Sequence, residues 1–235
     1  MSFKALKNTM RMEEKMNKKN KQTGEWAVYI TYDKLFWLFL IGSVAGVVIE
    51  GVFTLVTKGH WESHVVSVFG AFNILYGFGG VLFYVGAVKL SDRPLYLRVL
   101  VMTFAATILE LLSGLLLRYG LGMRAWNYEH NFLNYKGLIC LSFSGMWGIA
   151  AFIVCKISPY IDKILGMMRG KYWHVMCVAL SVFMIIDMSM TAISFVRWSG
   201  RHYGIAAGSD FMRQIDIDAP DEWMQKRFME WHFLD

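Results

Sequence analysis

Three acidic residues lie inside long apolar stretches of the sequence, where a carboxylate could bind a cation, a proton or a hydrogen-bond donor. They are Glu50, Glu110 and Asp187, and no lysine or arginine lies as deep in such a stretch. A carboxylate at the centre of a bilayer costs on the order of several kcal/mol unless it is neutralised, paired or hydrated. Three acids without a deep base favour a binding site. The alternative is that they are interhelical hydrogen-bonding groups.

Polar and aromatic residues near the acids complete a candidate substrate-binding site. The full set of candidates is Glu50, Asn73, Tyr76, Glu110, Trp126, Tyr128, Ser144, Trp147 and Asp187. Helical spacing places Cys140, Ser144, Trp147 and Ala151 on one face of a helix. Consecutive spans joined by a short loop are usually antiparallel neighbours. We therefore expect Glu110 and the Ser144–Trp147 region to reach similar depths, with Trp126 and Tyr128 at the outer rim.

Motifs for metal binding, covalent catalysis and nucleotide binding give no further site. His60 and His64 in HWESH have the spacing of two metal ligands, but the segment lacks the order of a zinc-binding HExxH helix. A surface loop is the favoured interpretation. The sequence contains neither a nucleophile elbow nor a Walker A loop, so an ATP-driven role would need a separate ATPase subunit. We expect no catalytic residue, no metal and no cofactor.

The elements that carry these residues are predicted to be transmembrane helices. The chain is 56% apolar and 16% aromatic and has only three prolines. Crossing a bilayer takes about 20 apolar residues in a helix, and five runs come close to that length. They are Leu35–Val56, Val65–Val88, Val99–Leu117, Leu138–Cys155 and Val175–Val196. The predicted fold is an all-α integral membrane protein, a bundle of about five transmembrane helices.

The distribution of charge predicts the orientation of this bundle. Residues 1–34 form a basic tail, residues 35–197 the bundle, and residues 198–235 an amphipathic tail at the membrane interface. Lysine and arginine concentrate in the first tail and in the second and fourth loops, which places the N-terminus in the cytoplasm and the C-terminus outside. The net charge of +6 then reflects topology and attraction to anionic lipid in the bilayer. No nucleic-acid partner is expected.

The first four spans show a weak two-helix internal repeat. The first span carries, at spacings of three and four, Ser43, Gly46, Glu50 and Thr54. The third carries, at similar spacings, Thr103, Thr107, Glu110 and Gly114. An aromatic-glycine step follows each, Tyr76-Gly77 in the second span and Trp147-Gly148 in the fourth. Two such units would be related by an axis along the membrane normal, although chance similarity between apolar helices is the alternative.

Ordered motifs between about residues 35 and 165 carry a family resemblance. They are Tyr76-Gly77-Phe78-Gly79, Glu110, Gly114, Trp126 with Tyr128, Gly137, Cys140, Ser144 and Trp147-Gly148. With these residues the chain resembles the bacterial family named "putative ABC-transporter type IV permease", and the human transmembrane protein 229 group is similar. Two positions depart from the family pattern: Asn127 replaces an aspartate, and Leu138 replaces a basic residue. If these positions belong to a site, the site is altered here.

The resemblance implies a multi-pass permease-like protein of the bacterial cytoplasmic membrane that moves a small solute, with an ATPase subunit as partner. A protomer of this size would need a homodimer to enclose a pathway. The alternative functions are an intramembrane enzyme, with Glu110 or Glu50 as the acid-base group acting on a lipid or apolar metabolite, and a membrane scaffold or assembly factor. Lipid analysis of a deletion strain separates the enzyme from the other two.

Overall fold

Long apolar helices dominate the computed structural model, which describes residues 30–234. Four helices in this range are long and apolar enough to cross a membrane. They are α1 (Tyr32–Lys58), α3 (Leu95–Leu115, continued by a π-helical turn over Leu116–Leu121), α4 (Leu141–Met167) and α5 (Lys171–His202). The shorter apolar helix α2 spans Ile74–Lys89. The predicted helical membrane bundle is therefore confirmed. The predicted basic tail lies almost wholly outside the described residues.

The second predicted span, Val65–Val88, is only partly helical. Residues 59–73 contain no helix, and α2 begins at Ile74. This non-helical stretch, the extended segment, folds back along α1, because the backbone N–H of Asn73 donates to the carbonyl of Ser43 at 2.9 Å. Ser43 lies 15 residues before the end of α1 at Lys58, which is about 22 Å along a helix axis. The chain thus runs back along α1 in two parts. The first part is the extended segment, and the second is α2, a helix of 16 residues.

The fourth span and the loop after it also differ from the prediction. The fourth span was predicted over Leu138–Cys155, but α4 begins at Leu141 and continues to Met167, with Pro159 inside it. The basic stretch expected as the fourth loop is therefore mostly helical, and residues 168–170 alone connect α4 to α5. Charged residues such as Lys156 and Lys163 ended the apolar pattern without ending the helix, because a helix can continue beyond the hydrocarbon with polar side chains.

The connections at the two ends of the bundle differ greatly in size. At the end where α1 begins, residues 90–94 and 168–170 make the turns. At the opposite end lie the extended segment, the loop of residues 122–140 and the C-terminal segment of residues 203–234. The last contains helices α6 (Asp210–Asp218) and α7 (Asp221–Arg227). We call this the covered end.

A small hydrophobic core holds the covered end together. Strand β1 (Met123–Arg124) pairs antiparallel with β2 (His232–Phe233), and buried residues from the loop, α5 and the C-terminal segment pack around them. These residues are Met123, Phe195, Trp198, Ala219, Met224, Phe228 and Trp231. Arg197 of α5 binds Asp216 of α6 at 2.7 Å. The aromatic residues of the C-terminal segment therefore pack in part on protein.

Candidate functional site

Glu110 lies at the centre of the candidate site and is 4% exposed. Its Oε1 accepts a hydrogen bond from the hydroxyl of Tyr128 at 3.0 Å, and its Oε2 accepts one from the indole N–H of Trp147 at 3.0 Å. Trp147 therefore lies at the depth of Glu110, as predicted. Tyr128 comes from the loop of residues 122–140, so the loop closes the site from the covered end.

Hydrogen-bonding chemistry restricts where a proton can reside on Glu110. An indole N–H only donates, so Oε2 facing Trp147 must be an acceptor. A tyrosine hydroxyl both donates and accepts, so a proton on Oε1 is compatible with Tyr128 in the reversed direction. Burial, followed by the charge and hydrogen bond of Glu110, raises the pKa of Tyr128, which keeps its hydroxyl protonated. The site therefore accommodates both the charged and the neutral form of Glu110.

Glu50 forms the second acidic position of the site. Its Oε1 accepts a hydrogen bond from the hydroxyl of Tyr76. Tyr76 reaches it because Gly46 on α1 lacks a side chain, and a Cβ at this position would overlap the Tyr76 ring. Gly77 likewise packs against Ser43 and Phe39. Gly46 and Gly77 thus allow α1 and α2 to pack closely. The residues without helical structure, 59–73, come before the glycines of α2.

The two helix pairs repeat one arrangement. In each pair, the acid of the first helix accepts a hydrogen bond from the aromatic side chain of the aromatic-glycine step in the second: Tyr76 for Glu50 and Trp147 for Glu110. The rings of Tyr76 and Trp147 lie 5.9 Å apart at their centroids. The two acids are therefore joined through one aromatic contact at the interface of the two helix pairs. We call Glu50 and Glu110 the acid pair.

Two further candidates, Ser144 and Trp126, hold neighbouring parts of the structure together, and Cys140 lies close to them in the chain. The Ser144 hydroxyl accepts a hydrogen bond from Thr107 at 3.1 Å, which links α4 to α3. The indole N–H of Trp126 donates to the carbonyl of Leu138 at 2.8 Å and so closes the base of the loop. Cys140 lies just before α4, in extended conformation, and is not inside the helix as predicted.

Asp187 and Asn73 form hydrogen bonds with the backbone of the extended segment. Asp187 is fully buried on α5, and its Oδ1 accepts a hydrogen bond from the backbone N–H of Phe69 at 2.8 Å. Thr191, one turn later, accepts one from the N–H of Val68. The side-chain amide of Asn73 donates to the carbonyl of His64. Irregular backbone is tolerated at membrane depth only where its polar groups are satisfied by protein or water, and these side chains supply such partners.

Sequence reasoning missed a half-buried histidine-glutamate pair at the covered end. His64 in the extended segment contacts the carboxylate of Glu230 in the C-terminal segment through its Nδ1. Burial lowers the pKa of His64, but the hydrogen bond and the charges of Glu230, Glu50 and Glu62 outweigh it and raise the pKa overall. Burial likewise raises the pKa of Glu230. The HWESH spacing pointed to His64, but Glu230 has no signal in the sequence.

Arg227 strengthens the same junction. Its guanidinium donates to the backbone carbonyls of Ser67 and Gly70, while Asp187 accepts from Phe69 between them. The turn of residues 67–70 is thus held from α5 on one side and from the C-terminal segment on the other. This explains how a stretch without helix keeps a defined position against the bundle.

The acid pair can bind a positive charge or a hydrogen-bond donor. Among residues 30–234, the groups that bond Glu50 and Glu110 are neutral tyrosine and tryptophan side chains, and neither acid forms an ion pair. No cluster of three or more histidine, cysteine, aspartate or glutamate residues within this range has metal-binding geometry. Aromatic rings beside the carboxylates add a surface that attracts cations.

A family model described as "Putative ABC-transporter type IV" matches residues 37–192. This chain belongs to that family. The match runs from α1 to the middle of α5 and so includes the acid pair, both aromatic-glycine steps and Asp187. No curated protein and no solved structure matches the chain. The similarity to the transmembrane protein 229 group stays a prediction.

The two positions at which the sequence predicts a departure from the family pattern, Asn127 and Leu138, lie in the loop of residues 122–140. Asn127 bonds Glu129 in a surface turn, and Leu138 is buried near Gly114. Leu138 thus supports the packing of the loop on α3, beside the position where the loop delivers Tyr128 to Glu110.

Proposed function

We propose that this protein is the membrane-spanning subunit of a transport system, and that the acid pair binds the solute. Membership of the type IV family and four helices of membrane-spanning length support the transport role. The observation that carries the site is the buried carboxylate of Glu110 and the half-buried carboxylate of Glu50, both bonded by neutral donors where two helix pairs meet. A carboxylate in such a place binds a solute that supplies a positive charge or hydrogen-bond donors.

The proposed orientation puts the covered end outside the bacterial cytoplasmic membrane. Seven of the first 21 residues of the sequence are lysine or arginine and precede α1, and Lys89, Arg93 and Lys163 lie at the end of the bundle where α1 begins. An excess of lysine and arginine favours the cytoplasmic side. The solute would then meet the acid pair from the covered end, past Tyr128 and the extended segment.

A separate ATPase would bind at the end with the short turns. The described surface there consists of residues 90–94, residues 168–170 and the adjoining helix ends, and Arg93 is exposed in the first turn. A subunit without its own nucleotide-binding loop depends on such a contact to use ATP.

Purification of the tagged protein from membranes of its source tests this partner. The expected result is an ATPase that co-purifies and hydrolyses ATP faster with the protein than alone. Arg93→Glu should weaken the association, whereas Arg213→Glu at the covered end should leave it unchanged. The two arginines are equally matched, being about 60% exposed and each beside an aspartate. If no candidate ATPase of the source associates or changes its rate, the ATP-driven proposal is wrong.

A homodimer would enlarge the pathway beyond one protomer. Many large apolar side chains, such as Ile49, Val56 and Ile185, are exposed on the helices and face either lipid or a second copy. Light scattering of the detergent-solubilised protein should give twice the protein mass of 27.1 kDa. A mass of one protomer at the same protein concentration would rule out the dimer.

A further inference from the structure

An ion pair joins the two helix pairs at the end of the bundle with the short turns. Lys34, in the first turn of α1, binds Oδ1 of Asp162, near the end of α4. The same oxygen accepts a hydrogen bond from the hydroxyl of Tyr84 on α2 at 2.9 Å. Tyr84 is fully buried, and the side chain of Lys34 is 5% exposed. One carboxylate of the second helix pair (α3 and α4) therefore binds both helices of the first pair (α1 and α2). We call this the Asp162 contact.

An apolar layer separates the Asp162 contact from the acid pair. Three of its buried residues are small: Ala87 of α2, Ala106 of α3 and Ala151 of α4. The layer also contains Phe83, Met102 and Cys155. Small side chains let helix backbones approach closely, and the sliding of closely packed helices is a common form of movement between parts of a protein. The apolar layer is thus an interface along which the two helix pairs can shift.

Helix α4 has a hinge between this layer and Asp162. Pro159 lies inside the helix, four residues after Cys155 and three before Asp162. Proline has no backbone N–H, so the usual helical bond to the carbonyl of Cys155 cannot form. The hydroxyl of Ser158 donates to that carbonyl at 3.2 Å instead. Sharp bends in helices occur at such prolines, so the end of α4 can move away from the first helix pair while Trp147 stays in place.

We propose that the Asp162 contact is the gate of the solute pathway at this end of the bundle, and that it opens when α4 bends at Pro159. Opening separates Asp162 from Lys34 and Tyr84, and water then reaches the apolar layer. In transporters built from repeated units, one unit commonly moves against the other around the binding site. Such a movement has to break the Asp162 contact, because its residues belong to different helix pairs. The inference rests on the proposed transport function, but its test needs neither the solute nor the ATPase.

The native Cys155 can report opening of the gate. It is buried in the apolar layer, about 12 Å along α4 from Trp147 and about 10 Å from Asp162. In the full-length protein in lipid nanodiscs, with Cys140 and Cys177 replaced by alanine, a charged methanethiosulfonate reagent labels Cys155 only when water reaches it.

Three substitutions open the gate in this assay. Asp162→Asn and Lys34→Met should each speed labelling of Cys155 about tenfold, because loss of a hydrogen bond between charged groups shifts an equilibrium between two states by about this factor. The double variant should be no faster than the faster single variant, since both changes break one contact. Tyr84→Phe fills the same space without the hydroxyl and should give a smaller increase.

Three controls separate a gate from general loosening of the structure. His174→Gln breaks the contact of His174 with Asp33, which is 3.0 Å long and joins α5 to α1 at the same end, and it should leave labelling unchanged. Cys140, kept as the only cysteine, is buried in the loop at the covered end and should stay unlabelled in the Asp162→Asn variant. Pro159→Ala, added to Asp162→Asn, should return the labelling of Cys155 toward the wild-type rate, because a continuous helix resists bending.

Unchanged labelling of Cys155 in the Asp162→Asn, Lys34→Met and Tyr84→Phe variants would overturn the proposal. Equal labelling of Cys140 and Cys155, or faster labelling that Pro159→Ala does not reverse, would also overturn it. Loss of function in Glu110→Gln with Cys155 unreactive in all three variants would leave the solute site standing without this gate. Faster labelling together with full function of Glu110→Gln would support the gate and reject the solute site.

Discussion

At the scale of single residues, the three membrane-embedded acids have two different kinds of surroundings. Glu50 and Glu110 are bonded by aromatic side chains at an interface between helix pairs. Asp187 instead accepts a hydrogen bond from the backbone of the extended segment. The same residue type therefore makes a candidate binding site in one place and replaces a missing backbone partner in the other. Sequence position alone could not separate these roles, because all three acids interrupt similar apolar runs.

Substitution of Asp187 should affect stability more than function. Asp187→Leu removes the acceptor of the N–H of Phe69, and a hydrogen bond contributes about 1 kcal/mol, so the Tm of the purified protein should fall. Asp187→Asn keeps an acceptor and should remain close to wild type. Ser189→Ala is the matched control, since Ser189 is exposed two residues away on the same helix. Equal Tm values for the Leu and Ala variants would show that Asp187 does not support the extended segment.

At the scale of elements, the departure of the second span from a regular helix is the most consequential feature. The apolar composition of Val65–Val88 predicted one helix, yet its first part is extended. Local sequence gave no reliable sign of this, because the partners that make it stable are remote: Asp187 and Thr191 on α5, and Arg227 after it. The helix pairing and the common depth of Glu110 and Trp147 were predictable, since spacing and loop length determine them.

The junction between the extended segment and the C-terminal segment should weaken as pH rises. The pKa values of His64 and Glu230 are both raised in the folded protein. A raised pKa contributes stability that is present below the unfolded value and is lost as pH rises through the folded value. Hydrogen exchange of residues 65–73, corrected for the intrinsic pH dependence, should therefore show less protection at about pH 8 than at about pH 5. His64→Gln should reduce this difference, and an equal difference in the variant would assign it to other groups.

At the scale of the whole molecule, the two ends of the bundle differ in structure. Nearly all non-helical structure among residues 30–234 lies at the covered end, and the opposite end has two short turns. Hydropathy predicted the class of protein and most of the helices. It could not predict that the extended segment, the loop and the C-terminal segment assemble together, because those contacts join residues more than 100 positions apart, such as His64 and Glu230.

The proposed orientation makes a direct prediction for cysteine labelling in cells. On a background in which the three native cysteines are replaced, a single cysteine at Asp218 should react with a membrane-impermeant maleimide in intact cells. One at Lys163 should react only after permeabilisation, because it lies at the opposite end of the bundle. A cysteine at Leu133, exposed in the loop at the covered end, should behave like the one at Asp218. The reverse pattern would invert the orientation while leaving the fold intact.

The most direct test of the central claim, that the acid pair is the functional site, is a paired measurement on Glu110→Gln. The amide can accept from Trp147 through its oxygen and donate to Tyr128 through its nitrogen, so the Tm should stay close to wild type. The variant lacks the titratable charge, so it should fail to restore the phenotype of a deletion strain of the source at wild-type expression. Asp187→Asn, tested in parallel, should restore it. Full restoration by Glu110→Gln, at normal expression and Tm, would contradict the claim and leave Glu110 a hydrogen-bonding group between helices.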